Sequence, residues 1–277
     1  KLEHYFTHSG LLLKNPGVFP KVLSGYFKTL ILQKTVLRTL ELALTPECNL
    51  KCSMCYASKI KRKDLSILSP DEYAKVMADA RKLGAFSVIL SGGEPTMRSD
   101  LLQIIEALQP AKTMVALVTN ATNLNEQSLE KLKKSGISVI HFSLDHYDPI
   151  INDNIRTYPG HFALVERLIL HAKKIGIEVC ISTVVSHNNL DVMAKMSGLA
   201  HKRNIGIVFS LACATGRWSN SQEQLLTQEE WKQVDQFMDA NPHIRSDWTI
   251  NFSLKKECPG GREKIALSPY GEVTGCG

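Results

Sequence analysis

Three cysteines fall within eight residues, Cys48-Asn-Leu-Lys-Cys52-Ser-Met-Cys55, separated by three and then two residues. Thiolates crowded on one short loop read first as a metal motif. A disulfide between two of them leaves the third over, and neighbouring cysteines on a tight loop rarely meet disulfide geometry. Zinc asks for a fourth cysteine or histidine close by, and none follows before His141. An iron–sulfur cluster on three cysteines leaves one iron free for a ligand that is not protein. Zinc-bound or unliganded thiols are the alternatives at this point.

The elements that must position this loop follow from the pattern around it. Leu40-Glu-Leu-Ala-Leu-Thr45 alternates and meets Pro46, which predicts a strand running into the loop. Ser69-Pro-Asp-Glu predicts a helix with Ser69 as N-cap and Pro70 in its first turn, ended by Gly84. Further helices are expected from Ser99 or Asp100 to Leu108, Asn125 to Lys134, His161 to Ile175, Leu190 to Arg203, and Thr227 to Met238. The last opens with Thr227 and Glu230 at capping-box spacing. Between them lie strands at Phe86–Leu90, Thr113–Val118, Ile137–Leu144, Ile177–Val185 and Ile205–Leu211. Six strands separated by helices predict an α/β fold with a parallel sheet: a partial (β/α)6 barrel or a doubly wound sheet. Ligands of either architecture gather at the carboxyl ends of the strands.

The second strand ends in Ser91-Gly92-Gly93-Glu94-Pro95. Alone this reads as a turn, in which two glycines let the backbone approach a ligand and Glu94 offers an acceptor. One βαβ unit after Cys-x3-Cys-x2-Cys, it resembles the radical S-adenosylmethionine (SAM) enzymes, over about Thr39 to Ala240. The resemblance implies a partial barrel in which Cys48, Cys52 and Cys55 hold a [4Fe–4S] cluster. The open iron then chelates SAM, whose ammonium meets Gly92, Gly93 and Glu94. One electron cleaves SAM to a 5′-deoxyadenosyl radical, which takes hydrogen from a peptide or small-molecule substrate.

The other strand ends carry family-like residues. Val118-Thr-Asn120-Ala121 has Ala121 where the family often has Gly. Phe142-Ser143-Leu-Asp145-His146, then Asp153-Asn-Ile-Arg156, has His146 and Thr157 where Gly is common. The resemblance places Ser143 near the SAM ribose or carboxylate and lets Arg156 pair with the carboxylate, whereas Asp145 reads equally as a loop cap. Thr183, with Asn188 and Asn189 beyond it, is expected near ribose or adenine, and Leu211 near adenine. Met54 stands where an aromatic residue is more usual. Cys180 alternates within a strand and reads as core. Cys213, at a strand end, is a candidate hydrogen-atom donor to a substrate radical, against a small packed side chain. A flavodoxin- or ferredoxin-type electron donor is implied.

Cys258, twelve residues, Gly271, four residues and Cys276 resemble the opening of the SPASM or twitch extension, which holds auxiliary [4Fe–4S] clusters. Lys264 to Thr274 predicts a β-hairpin turning at Pro269–Gly271. Two cysteines cannot hold such a cluster alone, so the expectation is a truncated extension or an incomplete auxiliary site. The domain reading is therefore an N-terminal extension over 1–38, a barrel over 39–240 and an auxiliary extension over 241–277.

Residues 1–40 hold six basic side chains against Glu3 alone, nearly all of the net charge of +6. The rest is close to neutral, so nucleic-acid binding is not expected. Val22-Leu23, Tyr26-Phe27 and Leu30-Ile31 recur every four residues, which predicts a helix packed on the barrel or a basic amphipathic helix on a membrane surface. That second possibility gives an alternative function, a membrane-associated radical SAM enzyme acting on a lipid or isoprenoid. A non-catalytic iron–sulfur or zinc protein is the alternative of another class. The 277 residues are 44% apolar and 22% charged, without an apolar run long enough to span a bilayer, and no signal peptide is expected. Seven cysteines in this scatter are no secreted disulfide framework, so a reducing cytoplasm is expected.

Overall fold

The computed structural model describes residues 16–62, 64–241, 244, 252 and 257–275. After helix α1 (Phe19–Leu30), strands and helices alternate: β1 (Thr39–Ala43), α2 (Pro70–Lys82), β2 (Ser87–Ser91), α3 (Leu101–Ala107), β3 (Met114–Thr119), α4 (Glu126–Lys134) and β4 (Val139–Ser143). Two helices, α5 (Pro149–Arg156) and α6 (His161–Lys174), precede β5 (Glu178–Val185). Then come α7 (Val192–Arg203), β6 (Gly206–Leu211), α8 (Gln228–Ala240), β7 (Lys264–Leu267) and β8 (Val273–Thr274). The eight strands form one sheet ordered β6-β5-β4-β3-β2-β1-β7-β8. Every pairing is parallel except β7 with β8.

Alternation along the strands separates two faces. Leu40, Leu42, Val88, Leu90, Val115 and Leu117 are buried in the main core with Tyr73, Met77, Ile104 and Ile105 of α2 and α3. The other face is closed at one level by a small cluster of Ala116, Val139 and Cys180 with Ile89 and Met114. Polar positions of the same face lie beyond it.

The expected caps are present at Ser69 and Thr227, each in a reciprocal capping box, and Asn125 caps α4 in the same way. Asp100 precedes α3 but makes no capping bond. Its carboxylate is taken by Arg98, with Nε to Oδ1 at 2.8 Å and Nη2 to Oδ2 at 2.6 Å. The same guanidinium donates to the carbonyls of Leu44 and Leu68, fastening the end of β1. The expected hairpin is present as β7 and β8, and its first strand also extends the sheet by pairing in parallel with β1.

Helix α1 packs on the amino ends of the strands through one face. Val22 and Tyr26 meet Val18, Val36, Phe86 and Phe252. Gly25 lies against Phe252 so closely that a Cβ there would stand 2.2 Å from the ring. The expected helix is thus present over 19–30, while Lys1 and Lys14 of the basic segment lie outside the described residues.

Candidate functional site

The cysteine loop sits at the carboxyl end of β1, and segments at the carboxyl ends of β2, β3 and β6 hold it. Gly93 N–H donates to Thr45 O and Glu94 N–H to Glu47 O, both at 2.7 Å, so the β2 end runs along the loop's first residues. A Cβ on Gly93 would stand 2.1 Å from Glu47 O, and Gly92 has φ +123°, so this approach requires both glycines. From β3, Asn120 Nδ2 donates to Asn49 Oδ1 at 3.0 Å and reaches Cys48 Sγ at 3.7 Å. From β6, Arg217 N–H donates to Cys55 O at 3.0 Å.

Glu94 is 1% exposed. Its Oε1 accepts Thr96 N–H at 3.0 Å and the hydroxyls of Thr96 and Thr119 at 2.6 and 2.7 Å. Among the described residues its Oε2 accepts only Asn120 N–H, at 2.7 Å, which leaves lone-pair capacity for a cation.

Helix α5 supplies the next wall. The sequence reading missed it, although Asp148 caps it by accepting from Ile150 and Ile151 N–H and Pro149 opens it. Its end lies on the cysteine loop: Ser53 N–H donates to Ile155 O at 3.2 Å and Lys51 N–H to Thr157 Oγ1 at 3.2 Å. Arg156, buried, pairs through Nη2 with Asp145 Oδ2 at 2.5 Å, and its Nη1 stands 3.9 Å from Cys52 Sγ. Asp145 Oδ1 accepts Val184 N–H at 3.0 Å. Asp145 is thus an ion-pair partner rather than a loop cap. Burial alone would lower the Arg156 pKa; attraction to Asp145 and Cys52 outweighs it and holds the pKa above the ordinary value. Burial raises the thiol pKa values of Cys48 and Cys52, opposed at Cys52 by Arg156.

His161 links these walls. One ring nitrogen, Nε2, donates to Asn120 O at 2.9 Å, and the other accepts from Asn152 Nδ2 at 3.0 Å. Asn152 Oδ1 in turn receives Asp145 N–H at 3.1 Å. A neutral imidazole satisfies both contacts, and burial, with Arg156 nearby, lowers its pKa.

The inner face of the sheet carries polar groups beside the loop. Glu41 pairs with Lys264 at 2.9 Å and accepts from Ser91 Oγ at 3.2 Å. His141 Nδ1 lies 3.5 Å from Ser182 Oγ. Tyr56 is exposed as a residue, but its hydroxyl turns inward to Gly92 O at 3.5 Å, and burial there, with Glu41 near, pushes its pKa up to about 12. Glu41, Tyr56 and Ser91 line a cavity of about 280 Å³.

The expected residues are not all gathered. Cys48, Cys52, Cys55, Gly92, Gly93, Glu94, Asn120, Asp145 and Arg156 form one contiguous set. Ser143 is buried at the end of β4, and Met54 is half-buried between Cys52 and Cys55. Thr183 is not brought in. Alternation puts its side chain with Ile181 and Val185, its hydroxyl is spent on Leu144 O at 2.6 Å, and its neighbours Ser182 and Val184 take the inner face. Leu211 likewise packs its side chain on the main core. Cys180 is core, as expected. Cys213 is exposed, its Sγ 3.5 Å from Leu211 O. Cys258 is exposed, and Cys276 lies outside the described residues. His146, which departs from the family pattern, is buried and accepts Asp148 N–H at 2.9 Å.

The sequence profile of the Radical SAM superfamily matches residues 42–196, more than half of the chain. The chain belongs to the radical SAM superfamily. A probable GTP 3′,8-cyclase of Methanococcus maripaludis (strain C6) is 33% identical over 142 residues, 51% of this chain and 47% of that protein. An AdoMet-dependent heme synthase of Methanosarcina barkeri is 33% identical over 184 residues, 65% of this chain and 52% of that protein. The chain thus spans about half the length of these curated relatives. Streptococcus suis SuiB bound to its precursor peptide SuiA shares the fold, with TM-score 0.70 and 17% identity over 87% of this chain and 60% of that one. So does anSMEcpe bound to AdoMet and a peptide, with TM-score 0.62 and 19% identity over 86% of this chain and 73% of that one.

Membership implies SAM and a [4Fe–4S] cluster, and the donor set fits both. Among the described residues no three His, Cys, Asp or Glu side chains gather closely enough to hold a single ion. The loop instead offers three free thiols with N–H donors near two of them, Leu50 N–H and Asn120 Nδ2 at Cys48 and Arg156 Nη1 at Cys52. Glu94 Oε2 suits an ammonium, and Arg156 Nε is buried without a hydrogen-bond partner.

Proposed function

We propose that this chain is the core of a radical SAM enzyme that modifies a C–H bond of a peptide or small molecule. The observation that carries this reading is the carboxylate of Glu94, held by Thr96, Thr119 and Asn120 with lone-pair capacity left on Oε2, on a turn laced to the three-cysteine loop. Cys48, Cys52 and Cys55 would hold the [4Fe–4S] cluster, which when bound would supply the electron that cleaves SAM to a 5′-deoxyadenosyl radical. Glu94 and the backbone at Gly92 and Gly93 bind the SAM ammonium. Asn120, Ser143 and Met54 border the rest of SAM.

Substrate enters the inner cavity beside Glu41, Tyr56 and Ser91, where donors and an acceptor alternate with apolar wall. The peptide-bound neighbours favour a peptide, whereas the heme-synthase and cyclase relatives favour a small molecule. Cys213, exposed beyond β6, is offered as a hydrogen-atom donor. Cys258 and Cys276 belong to an auxiliary-cluster extension beyond the barrel, and a flavodoxin- or ferredoxin-type protein delivers the electron in a reducing cytoplasm. Anaerobic reconstitution followed by reduction with SAM is the test. Formation of 5′-deoxyadenosine, lost in Cys52→Ala, is expected; its absence from the iron-loaded wild type, with a cluster spectrum insensitive to SAM, would leave a non-catalytic metalloprotein.

A second reading rests on α1. Phe19, Leu23, Phe27 and Leu30 form an exposed stripe opposite the packed face, continued by Ile31 and Leu32. Residues 16–38 contain three lysines and an arginine and no acid. This favours peripheral binding to an anionic bilayer, although no described helix is long and apolar enough to cross one. Co-sedimentation with phosphatidylglycerol vesicles, lost in Phe19→Ser/Phe27→Ser, is expected; equal partitioning of the two proteins refutes it.

A further inference from the structure

Arg156 is a buried cation whose position is over-determined. Its own carbonyl stands 3.8 Å from Cys52 Sγ, and its neighbours Ile155 and Thr157 hydrogen-bond Ser53 and Lys51 on either side of that cysteine. Thr157 ends α5 in the left-handed region, φ +55°, which stops the helix with Arg156 against the loop. The guanidinium is then aimed by Asp145, itself 1% exposed and fixed by Val184 N–H and Asn152. One branch of the fork, Nη2, is spent on Asp145, and the other, Nη1, faces Cys52 Sγ at 3.9 Å.

We infer that Arg156 sets the reduction potential of the cluster by donating a hydrogen bond to the Cys52 sulfur, with Asp145 as its positioning residue. This rests on the radical SAM reading and adds to it a function that contact with SAM does not require. Reduction adds one negative charge to the cluster. A guanidinium at hydrogen-bonding distance from a ligating sulfur, in a site shielded from water, lowers the energy of that added charge. Hydrogen bonds to the sulfurs, net charge and burial are the levers by which proteins tune such clusters. Arg156 supplies the first two here, and its own burial contributes to the third. Because Arg156 stays charged at any working pH, the effect is constant rather than switchable.

The experiment uses the full chain, reconstituted anaerobically and free of SAM, in an EPR-monitored redox titration with iron counted in parallel. Arg156→Gln is expected to bind as much iron as wild type and to shift the midpoint to more negative potential by at least about 59 mV, a tenfold change in the reduced-to-oxidised ratio for one electron. Arg156→Lys keeps the charge without the fork and recovers part of the shift. Asp145→Asn releases Nη2 and so loosens the aim of the guanidinium; a shift in the same direction as in Arg156→Gln is expected and decides the matter should Arg156→Gln lose iron, whereas a shift to more positive potential, the bare effect of losing a negative charge, overturns the positioning role of Asp145. Unchanged potentials in iron-loaded variants overturn the inference, including the case in which only SAM affinity falls. A wild-type chain that assembles no cluster overturns the underlying reading and this inference with it.

Discussion

Glu94 and Asn120 close the candidate SAM site on each other: Oε2 of the first accepts the backbone N–H of the second at 2.7 Å across the ends of β2 and β3. That bond aims the carboxylate, while Thr96 and Thr119 occupy its other oxygen. Glu94→Gln keeps the shape and removes the charge. A charged hydrogen bond contributes about 1.5–3 kcal/mol, so SAM binding to the iron-loaded chain should weaken roughly ten- to hundred-fold by titration calorimetry. An unchanged affinity removes Glu94 from the SAM site.

The glycines beside it fail for a steric reason. Gly93→Ala places a methyl group 2.1 Å from the backbone oxygen of Glu47, and a backbone atom cannot swing away as a side chain does. Overpacking of this kind costs about 1–3 kcal/mol. Urea unfolding should show that loss, together with reduced iron uptake, since the displaced segment is the cysteine loop. Gly198→Ala, where nothing lies within 4 Å and the residue is helical, should be neutral or slightly stabilising.

His161 predicts a pH dependence. Its folded-state pKa lies below the ordinary value, chiefly through burial, so the folded chain resists a proton that the unfolded chain accepts. Its contribution is therefore fully present above the unfolded value, near about 6.5, and declines as pH falls towards the folded value. The melting temperature should drop between pH 7.5 and 5.5, and His161→Gln should flatten that slope. A slope identical in the variant assigns the effect elsewhere.

Glu41 and Lys264 tie β7 to β1 on the inner face, with both side chains largely shielded. Lys264→Met leaves the Glu41 carboxylate without its cation, at a cost of up to about 3 kcal/mol. The double variant Glu41→Gln/Lys264→Met should recover part of this in a double-mutant cycle by urea unfolding. Simple additivity would mean that the pair contributes nothing as a pair.

Local rules made much of the architecture legible. Serine and threonine mark helix starts by side-chain hydrogen bonds made within four residues, and proline fits the first turn through its fixed φ, so the starts at Ser69 and Thr227 were readable from the chain alone. Asp100 was not, because its carboxylate answers to Arg98 instead. Helix α5 was overlooked although Asp148 and Pro149 mark its start, because its eight residues, Pro149–Arg156, make only about two turns over which a period can be read. The strand positions of Glu41 and His141 did carry a signal: a charged or polar side chain in mid-strand of a parallel sheet is out of place unless it faces a cavity.

Taken alone, the sequence determined which chemistry is present and roughly where along the chain it lies. Three cysteines at fixed spacing, and a Gly-Gly-Glu one βαβ unit later, bring their groups to the same end of any parallel sheet, because each follows a strand. Only the tertiary structure decided which distant side chains complete the site. Arg156 reaches Cys52 because α5 lies across the loop, whereas Thr183, one residue from Ser182, is turned away by the pleat. The hand of a strand's alternation and the landing point of a helix depend on long-range packing, and spacing in the chain does not encode either of them.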